Sequence, residues 1–198
     1  GTLIDLEKGI FLGILVSLLF YLHRTSQPSI RELVPLAAEL DNPRRKFVPI
    51  TGDAPSCPQM ALLRVEGSIF FGAVEYVQQH FRNVDESDPQ KKHLLLTSRA
   101  IGFVDLAGAD LLAKEATRRR KLGGGLYLVG VQPDLCKMLR RSGQVDTVGE
   151  EQIFRHKGDA IQAIYPRLDN EICRSCTARV FHECHVALPD GTPREAGR

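Results

Sequence analysis

The stretch from Leu94 to Leu112, LLLTSRAIGFVDLAGADLL, decides the fold of this chain. Its first residues, Leu94 to Thr97, are mostly apolar and predict a short buried strand. A Ser/Gly turn follows, and Asp105 then stands where it can cap a helix by accepting hydrogen bonds from free backbone N–H groups. Gly108 lets that helix approach its neighbours closely. The stretch therefore predicts one strand–loop–helix unit.

Similar units recur along the chain and set the fold class. Apolar residues from Ala73 to Val84 recur at helical spacing, and a second helix is predicted from about Leu106 to Arg120. Leu126 to Val131 is an apolar strand of the parallel-sheet type, Pro133 begins a third helix, and a last helix carries apolar residues from Ile161 to Leu168. This alternation predicts an α/β fold, with a mixed or mostly parallel sheet covered by helices.

The part before these units contains several prolines, which disfavour a long helix between residues 25 and 60. We therefore expect a linker there, with a short strand from Lys46 to Ile50. Met60 to Phe71 predicts two strand segments that are separated at Glu66 and Gly67.

The segment from Gly9 to Leu22 is almost wholly apolar and is followed by His23 and Arg24. It is shorter than the roughly 20 residues of a membrane span, and its start is acidic, unlike that of a signal peptide. We expect the end of a transmembrane helix that begins before Gly1; a helix packed on the domain is the alternative. The basic residues that follow predict a cytoplasmic domain. The predicted parts are a membrane helix end over 1–24, a linker over 25–45, a domain over 46–168 and a Cys-containing tail over 169–198.

The loop from Thr97 to Gly108 is a candidate binding site because it leaves the carboxyl end of a strand and enters a helix N-terminus. Free N–H groups and the helix dipole attract anions at such a place. The same spacing also suits a well-capped turn without a ligand. The candidate residues for a ligand or a partner are Ser98, Asp105, Leu106, Ala107 and Gly108.

The order of these motifs resembles that of STAS domains, the regulatory fold of sulfate transporters and anti-sigma-factor antagonists. In the antagonists the turn reads Asp-Ser-Ser-Gly, and its second serine is phosphorylated to switch partner binding. Here the turn reads Asp105-Leu106-Ala107-Gly108, and Ala107 has no hydroxyl to accept phosphate. This departure favours the transporter branch. The apolar segment and the sequence RTSQP over 24–28 are similar to the junction before the STAS domain in sulfate-permease-like (SulP) proteins.

The resemblance implies a cytoplasmic regulatory domain of a SulP-type inorganic anion transporter in the inner (plasma) membrane. The full-length protein is then expected to move sulfate or a related anion by secondary transport. The implied partner is the transmembrane part of the same transporter, while a nucleotide or regulatory protein at the Ser98–Gly108 face and a homodimer stay open. The alternative is a stand-alone antagonist-like binding module without the phosphoserine switch.

Composition and motifs exclude several function classes. A net charge of only +2 in 198 residues argues against nucleic acid as a partner. The basic runs Arg44–Lys46 and Arg118–Lys121 are expected to be solvated. The sequence contains no GxGxxG, Walker A, HExxH or GxSxG motif, so no enzyme is predicted.

The cysteines suggest one further hypothesis. Their odd number, five, in a cytoplasmic setting predicts reduced thiols. Cys173, Cys176, Cys184 and His185 offer enough sulfur and nitrogen for a four-coordinate zinc site, provided that a turn breaks the helix there. No other cofactor is predicted. Burial of the thiols on one helical stripe is the competing hypothesis, and redox chemistry is a third.

Overall fold

The computed structural model describes residues 2–36, 45–52 and 54–194, with side chains from residue 6 onward. Within these residues the chain forms eight α-helices and seven strands. The helices are α1 (Thr2–Thr25), α2 (Val74–Ser87), α3 (Leu106–Lys121), α4 (Pro133–Arg141), α5 (Val145–Val148), α6 (Lys157–Ile164), α7 (Asn170–Ser175) and α8 (Glu183–Val186). The strands are β1 (Ser29–Pro35), β2 (Phe47–Pro49), β3 (Met60–Ile69), β4 (His93–Thr97), β5 (Ile101–Val104), β6 (Gly125–Val129) and β7 (Ile153–Phe154).

The strands form one mixed sheet in the order β2-β1-β3-β4-β6-β7, with β5 beside β3. β3, β4, β6 and β7 run parallel to one another, and β5 runs parallel to β3. β1 is antiparallel to both of its neighbours, β2 and β3. The predicted α/β class, with a mixed sheet covered by helices, is confirmed.

Side-chain alternation along the central strands builds a core on each face of the sheet. In β4, Leu94 and Leu96 belong to the core that α2, α3, α4 and α5 cover. Leu95 belongs to the opposite core, which includes Ile161 of α6 and the buried residues of α7 and α8. β4 is therefore buried on both faces, as its apolar sequence predicts.

Two strand predictions are corrected by the sheet pairing. Met60 to Ile69 forms one strand, not two segments, but its parallel partner changes from β4 to β5 near Gly67, where the register shifts. The interruption predicted at Glu66 and Gly67 is thus a change of partner. β5 lies inside the segment predicted as a loop, because it pairs with the far end of β3.

β1 lies within residues 25–45, the segment predicted as a linker, so the sheet begins at Ser29. Prolines 28 and 35 bound this strand without disrupting it, because proline is tolerated at strand ends. Ser29 lies opposite Glu66, and the chain therefore enters the sheet beside the carboxyl end of β3. The predicted strand at Lys46–Ile50 is confirmed as β2. Residues 37–44 lie outside the described residues.

The predicted Cys-containing tail packs on the domain. Cys173, Phe181, Cys184 and Leu188 are buried in the same core as β4 and α6. The predicted boundary at residue 168 therefore does not separate the tail from the fold. Residues 195–198 lie outside the described part of the chain.

Arg119 corrects the expectation that the basic run Arg118–Lys121 is solvated. Its side chain is fully buried, and its guanidinium lies 2.7 Å from Glu115 Oε1 and 2.6 Å from Asp85 Oδ1. A cation at this depth needs such partners, because transfer out of water costs more than one ion pair returns. Arg45 of the other run is likewise buried and pairs with a glutamate of α8. Both runs therefore contribute to the packing of the domain.

His93, at the start of β4, makes the stability of the domain pH-dependent. Burial above all, and then the charges of Arg167, Arg119 and Lys92, lower the pKa of His93 from 6.5 to about 4. The unfolded chain therefore takes up a proton first as the pH falls, and stability is lost between pH 6.5 and about 4. The full loss amounts to about 3 kcal/mol.

We expect His93→Gln to remove this part of the pH dependence, although it lowers stability at neutral pH. Urea unfolding of both proteins at several pH values in this interval measures the effect. If acidification lowers the free energy of unfolding equally in the two proteins, His93 does not cause this pH dependence.

Candidate functional site

Asp105 ties the start of α3 to the loop after β3. Its Oδ1 accepts a hydrogen bond from the Gly108 N–H at 2.9 Å, which confirms the predicted helix cap. Its Oδ2 accepts from the Phe71 N–H at 3.0 Å, and its own N–H donates to the Ile69 carbonyl at 3.3 Å. Each carboxylate oxygen thus accepts a backbone hydrogen bond, and Asp105 has a structural role in this turn.

Gly108 lies against the backbone of β3, as the sequence predicts. A Cβ at this position would fall deep inside contact distance of the Ile69 carbonyl oxygen and 2.9 Å from Val104 Cγ1. Ala107, next to it, is half-buried and carries no group that reacts or ionises. The Asp105–Gly108 turn is therefore a rigid support, and the groups that it presents to solvent come from its neighbours.

Three exposed apolar side chains surround this turn. Phe71 is 78% exposed, Phe103 56% and Leu106 62%. We name Phe71, Phe103 and Leu106 the apolar patch. Of the predicted site residues only Leu106 belongs to it. Single exposed apolar residues are ordinary, but a cluster beside a rigid turn is typical of a surface that contacts another protein.

Ser98 lies apart from the turn. It is fully buried, and its hydroxyl donates to the Val129 carbonyl at 3.0 Å, so it joins β4 to β6. The predicted face from Ser98 to Gly108 is therefore divided: its first residue is internal, and its last four form the α3 turn. A buried, hydrogen-bonded hydroxyl is a poor phosphate acceptor.

A basic cleft of about 720 Å³ opens where β4 and β6 end. This is the edge at which open parallel sheets bind their ligands. Cationic groups dominate its wall, and Asp159 is the one acidic residue among the described residues that line it. The cleft is lined by Arg45, Phe47, Thr97, Arg99, Val129, Gly130, Arg155, His156, Lys157, Gly158 and Asp159.

The electrostatics of the cleft favour an anion. Burial, followed by the charges of Arg64 and Arg99, lowers the pKa of Lys157. The Lys157 ammonium also lies 4.9 Å from the centre of the Phe47 ring. The N-terminus of α6 begins at Lys157 without a side-chain cap from His156, so its backbone N–H groups add partial positive charge. Sequence spacing does not reveal this cleft, because its residues come from separate parts of the chain.

Three of the four predicted zinc ligands come together. Cys173, Cys176 and Cys184 line a cavity of about 10 Å³ with Cys57, a residue from a distant part of the sequence. His185 is exposed and lies outside this group, with its Nε2 2.9 Å from the Arg179 carbonyl oxygen. As the side chains are placed, no three His, Cys, Asp or Glu residues of the described ranges form a metal-binding arrangement.

Burial holds the thiols of Cys57, Cys173 and Cys184 in the protonated form. Burial, with smaller contributions from neighbouring thiols, raises the pKa of Cys57 to about 12 and that of Cys173 to about 11. The pKa of Cys184 is raised in the same way. Since the thiolate is the reactive form, these cysteines are poor nucleophiles, which argues against the redox hypothesis.

Comparison with known proteins identifies the fold. The family model of the STAS domain matches residues 53–160, more than half of the chain. "Probable sulfate transporter Rv1739c" of Mycobacterium tuberculosis is 28% identical over 173 residues, which cover 82% of this chain and 29% of the relative. "Probable sulfate transporter 4.2" of Arabidopsis thaliana is 21% identical over 167 residues, which cover 79% of this chain and 24% of the relative.

Solved structures agree with this assignment. Two structures of the transporter SLC26A9, one of them murine and inward-facing, superpose with TM-scores of 0.67 and 0.64 at 19% and 18% identity. Each covers 79% of this chain, and the matched region is 27% and 25% of the solved chains. At this identity the likeness shows the fold. The chain spans about a quarter of the length of the relatives that it matches.

We expect Gly108→Ala to lower the free energy of unfolding by about 2 kcal/mol or more, because the new methyl group collides with the backbone of β3. Gly102→Ala is the matched control: its methyl group meets nothing within 4 Å. That control should change stability by less than about 0.5 kcal/mol. Denaturant unfolding measures both, and equal effects would contradict the tight contact between α3 and β3.

Proposed function

We propose, since the chain belongs to the STAS domain family, that it is the cytoplasmic regulatory domain of a membrane transporter for sulfate or a related inorganic anion. The observation that carries this proposal is an exposed apolar helix, α1, that leads directly into the domain. The whole transporter would move the anion by secondary transport. The domain described here would regulate that movement without catalysing a reaction.

α1 has the length and composition of a membrane span. Leu6–Thr25 covers 20 residues with a mean hydropathy of 1.6, and none of its most apolar window is buried against the domain. Every large apolar side chain from Ile10 to Leu22 is between 40% and 71% exposed. A bilayer core about 30 Å thick takes roughly 20 helical residues. A bilayer would therefore be a favourable environment for this helix, and this supports the membrane helix over the alternative of a helix packed on the domain.

The basic residues near the end of α1 and the short connector to β1 support a cytoplasmic location of the domain. α1 carries His23 and Arg24 in its last turn, and Arg31 follows in β1. Basic residues near the end of a span stay on the cytoplasmic side, so the domain would face the cytoplasm from the inner (plasma) membrane. Residues 26–28 alone separate α1 from β1. At about 3.5 Å per residue, this connector keeps the sheet within about 15 Å of the helix end.

The apolar patch is the surface that we assign to the membrane part of the transporter. β1 runs antiparallel to β3, so α1 joins the sheet beside the carboxyl end of β3. Phe71, Phe103 and Leu106 follow or end strands at this same edge. The patch would therefore lie on the membrane-proximal side of the domain. In the relatives, about three quarters of the length lies outside the matched region, and in a transporter of that length it would offer a protein surface to cover the patch.

A stand-alone module of the antagonist type is the weaker candidate. Ala107 cannot accept phosphate, and Ser98 is buried and hydrogen-bonded. α1 would also expose its whole apolar surface to water in such a protein. Both observations favour the transporter.

We also propose that the basic cleft binds a phosphate-bearing regulator such as a nucleotide. Its volume of about 720 Å³ lies within the usual range of small-molecule sites. Arg99, Arg155 and Lys157 offer donors for phosphate oxygens, and the α6 N-terminus adds backbone N–H groups. Asp159, an acidic residue that lines the cleft, would repel such an anionic ligand.

We expect Leu15→Arg to displace the chain from membranes. A cation near the middle of a span costs about 3 kcal/mol of insertion, or roughly a hundredfold. The chain is expressed in bacteria, and carbonate extraction measures its membrane-bound fraction. Leu122→Arg, which places the same charge at a 46% exposed position after α3, is the control and should stay bound. Soluble wild-type protein, or equal retention of both variants, would overturn the membrane anchor.

We expect Arg155→Ala with Lys157→Ala to weaken nucleotide binding about tenfold or more, because each loses a charged donor. Titration of the whole chain in detergent with a fluorescent nucleoside triphosphate measures this. Lys137→Ala removes an exposed lysine of α4 outside the cleft and should leave affinity unchanged. Competition with inorganic phosphate separates recognition of phosphate from recognition of the base. No saturable binding of either probe by wild type would refute the cleft as a phosphate site and leave the membrane proposal standing.

A further inference from the structure

Four thiols converge on one cavity from three separate segments. Cys57 precedes β3, Cys173 lies in α7, Cys176 follows the end of that helix, and Cys184 lies in α8. The cavity that they line measures about 10 Å³, the size of a single water molecule or ion. Cys57, Cys173 and Cys184 are each less than 9% exposed. We name these four residues the thiol cluster.

The backbone makes this convergence possible. On one straight helix, Cys173 and Cys184 could not reach a common point. α7 ends at Ser175 and α8 starts at Glu183, and Arg179 between them has φ +40°, a conformation that non-glycine residues rarely adopt. The chain turns here, so that Cys184 lies beside the same cavity as Cys173.

A hydrogen-bond donor is directed at one of the sulfurs. The Gln59 side-chain amide donates to Cys173 Sγ at 3.2 Å. A neutral thiol is a weak acceptor and needs no such donor, whereas a thiolate bound to a metal is stabilised by one. This donor is an observation independent of the clustering itself.

Two arginines place positive charge beside the thiol cluster. Arg179 and Arg194 line the same cavity, and Arg194 also donates to the Cys173 carbonyl oxygen. Four thiolates with one divalent cation carry a net charge of −2, which two guanidinium groups offset. Within the described part of the chain, no carboxylate is among the residues that line the cavity.

We propose that Cys57, Cys173, Cys176 and Cys184 bind one zinc ion that fastens α7 and α8 to the start of β3. Thiolates select zinc over magnesium or calcium, and four protein ligands leave no open position, so the site is structural. Each thiol releases one proton to solvent on binding, while no electron is transferred. Zinc–sulfur bonds of about 2.3 Å require the sulfurs to turn towards the cavity centre about their Cα–Cβ bonds. The site is independent of the transport proposal.

The metal content of the intact chain, purified in detergent with reductant, tests this site. Wild type should carry about one zinc per chain, and cobalt in its place should give the absorption bands of a tetrahedral tetrathiolate site. Cys57→Ser should lower the zinc content at least tenfold. Cys136→Ser, which removes the one cysteine outside the cluster, and His185→Ala should both retain zinc.

The cobalt spectrum of the unmutated chain keeps the test decisive if Cys57→Ser fails to fold. Wild-type protein without zinc, whose cluster thiols all titrate freely, would overturn the proposal. A disulfide within the cluster of protein isolated without reductant would overturn it as well. Equal zinc loss in Cys57→Ser and Cys136→Ser would exclude Cys57 as a ligand.

Discussion

The hydrogen-bond ladder between β1 and β3 is the interaction on which the functional geometry depends. Because β1 runs antiparallel to β3, with Ser29 opposite Glu66, α1 enters the sheet at the edge where the parallel strands end. Both the apolar patch and the basic cleft lie along this edge. A parallel β1 would have placed α1 at the opposite edge, away from both surfaces. One strand direction therefore sets which side of the domain would face a membrane that holds α1.

The two ends of the chain are stabilised in different ways. α1 leaves its apolar side chains exposed, and a bilayer would be the favourable environment for them. The C-terminal helices are too short to be stable alone, with 6 and 4 residues, and depend on the contacts that they make. The Arg45–Glu183 ion pair at 3.0 Å and the burial of Phe181 provide part of that support. Zinc in the thiol cluster would supply more, in the region where the regular secondary structure is shortest.

Features of the fold that depend on neighbouring residues can be predicted from the sequence. β4, α3, the cap at Asp105 and the close approach at Gly108 follow from neighbouring residues, and the structure confirms them, whereas β5 between β4 and α3 was not predicted. β1 was missed because Arg31 and Glu32 interrupt its apolar pattern and prolines bound it.

The candidate sites are harder to predict from the sequence, because they depend on contacts between residues that are distant in sequence. Ser98 belongs to the predicted loop, but the β4–β6 pairing buries it. Arg99 and Lys157 share a cleft only through that same pairing and the position of α6. Cys57 joins the later cysteines only once β3 has been placed in the sheet. Spacing alone therefore offered His185 as the fourth ligand candidate.

The coding sequence upstream of Gly1 tests most directly whether this domain belongs to a membrane transporter. We predict that the reading frame continues through many further apolar segments of roughly 20 residues, enough for the membrane part of an anion transporter. A start codon within a few dozen residues of Gly1 would contradict it. The chain would then be a singly anchored STAS regulator.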